Sequence, residues 1–139
     1  MKIGVPKEIK NNEFRVGLTP NSVAELVSFD HDIFVESNAG FGIGFLDEDY
    51  IKAGAVILDS PSKVYASAEL IIKVKEPIPE EFKYLNSSHT VFAYLHLAGD
   101  PQTGIELTAT GITGIALETV TADDGSMPLL SPMSCIAGQ

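Results

Sequence analysis

Short apolar runs and amphipathic stretches alternate along this chain, each pair separated by turn-forming residues. Lys2–Val5 predicts a first strand, stopped by Pro6. Thr19-Pro20 supplies an N-cap and a proline at the first helical position, and Val23, Leu26 and Val27 carry that helix to about Phe29. Asp32–Ser37 predicts a second strand, Asp47 a cap for a short helix ending at Gly54, and Ala55–Leu58 a brief third strand. Ser60-Pro61 opens a helix through Ala66, followed by the β-branched run Leu70–Glu76, which Pro77 closes. Pro79 starts a helix to about Leu85, and Thr90–Leu95 is the next strand. Asp100-Pro101 then caps a helix to Thr110 with Gly111 beyond it, and Ile112–Thr119 is the last strand. Strands alternating with capped helices mean βαβ units, right-handed crossovers and a mainly parallel sheet. The expected class is α/β, a Rossmann-like (flavodoxin-like) sheet flanked by helices. After Thr121 the texture changes to a turn and then Pro128–Ser134, which reads as a linker, so residues 1–127 are expected to be one domain and 128–139 the start of that linker.

Composition narrows the partners. With 139 residues and 45% hydrophobic side chains, the chain can bury a core of its own. Nine Lys and Arg against nineteen Asp and Glu give a net charge of −10, which repels nucleic-acid backbones and anionic membrane surfaces. Neither nucleic acid nor a membrane is therefore an expected partner. No apolar run is long enough to span a bilayer, and Met1–Pro6 begins a strand rather than a secretory signal. The single cysteine, Cys135, allows no internal disulfide, and the expected location is the cytoplasm.

Candidate chemistry lies where strands end. Lys73 and Lys75, two residues apart in a strand, are expected to project to the same side of the sheet. They either snorkel past the strand end into water or form part of an anion site. The polar loop Pro6–Leu18 is long for a compact domain, which favours function over idle connection, and it carries Arg15. His96 follows another strand. Gathered at one sheet edge, these three suit a small carboxylate with an adjacent carbonyl. Arg15 offers a planar fork, Lys75 a point charge, and His96 a proton donor and acceptor near neutral pH. Each also has a structural reading: a solvated arginine, a snorkelling lysine, a hydrogen-bonded histidine. Tyr94 reads as core, and Glu118 as a capping or solvated residue. Ala39–Phe45 approaches a dinucleotide fingerprint, but from Gly40 the third glycine position is Phe45, so it reads as a tight turn. His31, His89 and His96 lack metal-ligand spacing, and Cys135 lacks partners for nucleophilic catalysis. The residues alone support an α/β domain with a candidate anion site.

The order of motifs takes the reading further. Gly4–Val16 with Leu18-Thr19-Pro20, then Ala39–Phe45, Lys73–Pro77, Tyr94–Ala98, Ala116–Val120, Pro128–Leu130 and Pro132–Ser134 resemble the N-terminal domain of alanine dehydrogenases. Those enzymes share this domain with the α-subunit of proton-translocating nicotinamide nucleotide transhydrogenase. Lys75 and His96, which transhydrogenase subunits usually lack, place the resemblance in the alanine dehydrogenase branch. It implies reversible, NAD-dependent oxidative deamination of L-alanine to pyruvate and ammonium by a two-domain enzyme of which this would be the substrate domain. By motif, His96 would be the acid/base, Arg15 and Lys75 would bind the substrate carboxylate and carbonyl, and Ser134 and Met133 would lie against NAD. NAD itself would be held mainly by a second domain outside this chain, so the chain alone is expected to be inactive. The resemblance further implies a homo-oligomer, hexameric in relatives. Cys135 and Gln139 stand where these enzymes commonly have glutamate and arginine, which bears on the linker rather than the substrate site. Two other functions are compatible with the residues: a stand-alone domain that binds 2-oxo acids or pairs with subunits, and a transhydrogenase-like fragment.

Overall fold

The computed structural model describes residues 1–10, 12–95 and 100–116. Its elements run β1 (Lys2–Val5), α1 (Pro20–Ser28), β2 (Asp32–Glu36), a single 3-10 turn (Phe41–Ile43), α2 (Asp47–Ala53) and β3 (Val56–Leu58). They continue with α3 (Pro61–Ser67), β4 (Leu70–Lys75), α4 (Pro79–Phe82), β5 (Thr90–Tyr94), α5 (Pro101–Ala109) and β6 (Thr113–Ala116). Among the described residues these strands make one sheet in the order β3-β2-β1-β4-β5-β6, with every neighbouring pair parallel. That is the doubly wound order of Rossmann sheets, distinct from the flavodoxin order 2-1-3-4-5, and its topological switch point lies between β1 and β4.

The helix starts follow the side chains foreseen at two of the caps. The Thr19 hydroxyl accepts from Ser22 N–H at 3.2 Å, and the Asp100 carboxylate accepts from Thr103 N–H at 3.1 Å. Asp47 differs from expectation, being the first residue of α2 rather than its cap. Its carboxylate instead accepts from the Ser37 hydroxyl at 2.6 Å and Asn38 N–H at 2.8 Å, which ties the loop after β2 to α2. Asp49 takes the capping role by accepting from Leu46 N–H at 2.8 Å. α4 is also shorter than the pattern predicts. Beyond Phe82 the backbone bonds run three residues back, from Tyr84 to Glu81 and Leu85 to Phe82, so the helix tightens into a turn. Ala39–Phe45 is the tight turn its spacing indicates, with Gly44 at φ +88°, a region open to glycine. β6 is described to Ala116; the remainder of the expected last strand and the linker lie outside the described residues.

The sheet divides the core. On one face Ile3, Val5, Ile33 and Val35 pack with Val23 of α1 and Tyr50 of α2. The other cluster joins Ile71, Val91 and Ala93 to Tyr65 of α3 and Leu107 of α5. One irregularity changes the site. β4 pairs with β5 as Ile72↔Phe92 and then Lys75↔Tyr94, so three steps on β4 match two on β5. The extra residue interrupts the period-2 alternation, which puts Lys75 on the face of Ile72 and Tyr94 while Lys73 keeps the face of Ile71. The two lysines therefore point to opposite faces, against the same-side expectation, because a bulge shifts the register between them.

Candidate functional site

The loop between β1 and α1 crosses the switch point and is tied down along its length. Lys7 N–H donates to Glu36 at 3.3 Å, and Lys10 pairs with Glu76 just past the end of β4. Asn12 adopts φ +61°, which lets the chain reverse between Lys10 and Glu13. At Gly17 a Cβ would lie 2.5 Å from the Ile72 carbonyl oxygen, so only glycine lets the returning loop pass this close to β4. Tyr50 closes the loop by donating from its hydroxyl to the Leu18 carbonyl at 2.7 Å, and burial of that phenol pushes its pKa up to about 12.

Beneath the loop lies a dry polar cluster. Lys73, 2% exposed, does not snorkel to water. Its ammonium sits 2.9 Å from Glu8 Oε2 and 3.2 Å from Glu81 Oε2, because a buried ammonium has to be paired. Glu81 also accepts from the Tyr65 hydroxyl at 3.0 Å and Ile78 N–H at 3.0 Å. Burial first, and the neighbouring Glu81 carboxylate second, raise the Tyr65 pKa well above its ordinary value. His89 extends the cluster. Its Nδ1 accepts from Asn86 N–H at 3.1 Å, which leaves Nε2 as the nitrogen that donates to the Tyr65 carbonyl at 2.7 Å. His89 is thus a structural histidine, and Lys73 a structural lysine.

The half-buried layer above holds the two cations expected to meet a ligand. Arg15 donates from Nε to Glu13 Oε1 at 2.8 Å and from Nη2 to Glu13 Oε2 at 2.9 Å, a bidentate pair. Those bonds hold the Glu13 carboxyl below its ordinary value, and the nearby Lys75 ammonium lowers it further. Lys75 is in register with Tyr94, whose phenol is close enough to Arg15 to contribute to raising the guanidinium pKa, chiefly set by Glu13. Arg15, Glu13, Lys75 and Tyr94 thus share the carboxyl edge of the sheet beside the switch point. A cavity of about 570 Å³ opens next to them, between this loop and the turn after β2, with Arg15, Lys10, Glu13, Phe14 and Phe41 on its wall. Lys75 is not on that wall, but its charge acts on Glu13, which is.

The sequence pointed to Arg15 and Lys75 but not to Glu8, Glu13 or Tyr94. Two glutamates in a polar loop were the available signal, yet nothing in the chain order pairs Glu8 with a lysine sixty-five residues away. His96, Ser134 and Met133, together with Glu118, Cys135 and Gln139, lie outside the described residues. Among the described residues no cluster of His, Cys, Asp and Glu can hold a metal, and no helix is long and apolar enough to cross a membrane. Nor do those residues fit a dinucleotide. The first βα turn carries Pro6, Lys7 and Glu8 in place of glycines, α1 starts only at Pro20, and the Glu8 carboxylate fills the switch point where a pyrophosphate would need N–H donors.

Comparison with known proteins gives a consistent pattern. Residues 4–137 match the family model for the alanine dehydrogenase/PNT N-terminal domain. Over 139 residues the chain is 51% identical to an alanine dehydrogenase of Methanococcus maripaludis and 50% identical to one of Bacillus subtilis. It spans 37% and 36% of their lengths, and all of its own. A solved L-alanine dehydrogenase superposes with a TM-score of 0.94 at 50% identity, over 99% of this chain and 38% of that one. A transhydrogenase from Sinorhizobium meliloti superposes with a TM-score of 0.78 at 30% identity, over 85% of this chain and 35% of that one.

Proposed function

Since the chain belongs to the alanine dehydrogenase/PNT N-terminal domain family, we propose that it is the substrate-binding part of an NAD-dependent L-alanine dehydrogenase, which interconverts L-alanine with pyruvate and ammonium. The observation that supports the reading is that Arg15, from a loop, and Lys75, from a strand distant in sequence, both act on the Glu13 carboxyl at the carboxyl edge of the sheet. Arg15 receives the substrate carboxylate, whose two oxygens match its planar fork. Lys75 places its charge at the carbonyl oxygen, where negative charge builds as the carbonyl is attacked, and so favours that state over the ground state. His96 is assigned the proton transfers that accompany passage between amine, carbinolamine and ketone. NAD supplies the hydride acceptor, and its binding is assigned to a second domain reached through residues 128–139, with Ser134 and Met133 against it and residues 1–127 as the substrate domain. A cytoplasmic, homo-oligomeric enzyme completes the proposal.

Calorimetric titration of pyruvate into the 139-residue chain tests this reading. Binding is expected, and it is expected to disappear in Arg15→Ala and Lys75→Ala. No heat at millimolar pyruvate overturns the assignment. The same chain mixed with L-alanine and NAD is expected to form no NADH.

A further inference from the structure

We propose that Glu8 and Glu13 are the positioning residues of the substrate cations: Glu8 fixes where Lys75 leaves β4, and Glu13 fixes the plane of the Arg15 guanidinium. The proposal rests on the reading of Arg15 and Lys75 as substrate-binding groups, and it assigns the loop a role beyond carrying Arg15.

Glu8 is 6% exposed and both its oxygens are committed. Oε2 accepts from the Lys73 ammonium at 2.9 Å, and Oε1 accepts from the backbone N–H of Lys75 at 2.9 Å. The second bond falls at the bulge that turns Lys75 to the face opposite Lys73. A bulge disrupts the ladder locally and leaves backbone groups in need of other partners, and here a side chain from the β1–α1 loop supplies the acceptor. The same carboxylate thus holds the loop to β4 and stabilises the register shift that puts Lys75 on the face of Ile72 and Tyr94. Only a carboxylate satisfies both donors. A glutamine would present one oxygen and one N–H₂, and the latter would face either an ammonium or an N–H.

Glu13 does the corresponding work for Arg15. Its side chain is 8% exposed against 43% for Arg15, so the glutamate is the fixed member of the pair. Oε1 accepts from Arg15 Nε and, at 3.1 Å, from the Arg15 backbone N–H, while Oε2 accepts from Nη2. Three bonds to one carboxylate fix both the backbone and the guanidinium plane of a residue that would otherwise sample many rotamers. Neither glutamate is assigned a contact with the substrate; each acts through a cation.

The test uses the isotope-labelled 139-residue chain and two variants, Glu8→Gln and Glu13→Gln, read by NMR and by pyruvate titration. In Glu8→Gln the Lys75 amide is expected to exchange with solvent faster while amides of the sheet interior stay protected. In Glu13→Gln the Arg15 Nε–H resonance is expected to shift and broaden while the Lys75 amide is unchanged. Pyruvate affinity is expected to fall at least tenfold in both. A general rise in exchange across the sheet with unchanged affinity of the folded fraction would make the glutamates merely structural, and unchanged local signals would overturn the proposal outright. Should Glu8→Gln not fold, Glu8→Asp, which keeps the charge and shortens the reach to the Lys75 N–H, decides the Glu8 half by the same Lys75 exchange, and Glu13→Gln decides the Arg15 half. If the parent chain binds no pyruvate, the substrate reading fails, whereas the exchange and Nε–H signals still report whether the glutamates position the cations.

Discussion

Lys73 and Arg15 are both bonded to glutamates of the β1–α1 loop, but one pair is 2% exposed on each side and the other places a 43% exposed arginine on an 8% exposed glutamate. The chemistry is the same and the surroundings differ. Around Lys73 water is excluded, so the ammonium needs two carboxylates, Glu8 and Glu81, and those need Tyr65, Ile78 N–H and Lys75 N–H in turn. That assembly cannot exchange a partner for a ligand without leaving a charge unpaired in a dry interior. Around Arg15 water can enter, so exchanging a partner for a second anion costs less there than in the dry interior. Depth in the sheet therefore separates a cation that holds the fold from one that can serve a substrate.

The largest effect should come from breaking the dry cluster. Lys73→Met leaves Glu8 and Glu81 buried without a counter-charge, an expected loss of about 3–5 kcal/mol in chemical denaturation. Adding Glu81→Gln to that variant should recover part of the loss, because one unpaired charge is removed. A recovery of zero would mean the two groups are not coupled.

A smaller effect should follow acidification of the half-buried Glu13–Arg15 pair. The Glu13 carboxyl is held below 4.5, first by the Arg15 side chain, so the folded state binds its proton less tightly than the unfolded chain does. Its contribution is therefore complete above pH 4.5 and lost as pH falls through the lower, folded-state value. The Arg15 Nε–H signal is expected to be constant from neutrality to pH 4.5 and to change only below it. A transition above that pH would contradict the pairing.

The smallest effect concerns Glu36, which accepts from Lys7 N–H of the same loop and feels the charges of Glu81 and Lys73. Burial raises its pKa, so here the folded state binds the proton more tightly, and the ionised form costs stability at neutral pH. Glu36→Gln is expected to stabilise by about 0.5 kcal/mol at pH 7, with the gain shrinking as pH falls towards 4.5. Destabilisation at pH 7 would show that the Lys7 bond outweighs burial.

Much of the fold was legible along the chain because its signals are local. Proline after a capping residue marked the starts of α1, α3 and α5, and β-branched runs marked the strands. The errors were local too: Asp47 is bonded to Ser37 and Asn38 rather than capping its helix, and α4 tightens into a turn. The site was legible only in part. Arg15 and Lys75 stood out as cations at strand ends of a strongly acidic chain, and the family motifs gave them a role.

The sequence by itself determined the alternation of strands and helices, hence a parallel α/β sheet, and it determined which cations the sheet edge could offer. Tertiary structure alone decided that Lys73 is buried and Lys75 turned to the other face, since a one-residue bulge is invisible to a period-2 pattern. It alone decided that Glu8, just past β1, reaches the neighbouring β4, because that bond joins residues whose proximity depends on strand order. Strand order is set by packing among all the elements at once, and no single stretch of the chain encodes it.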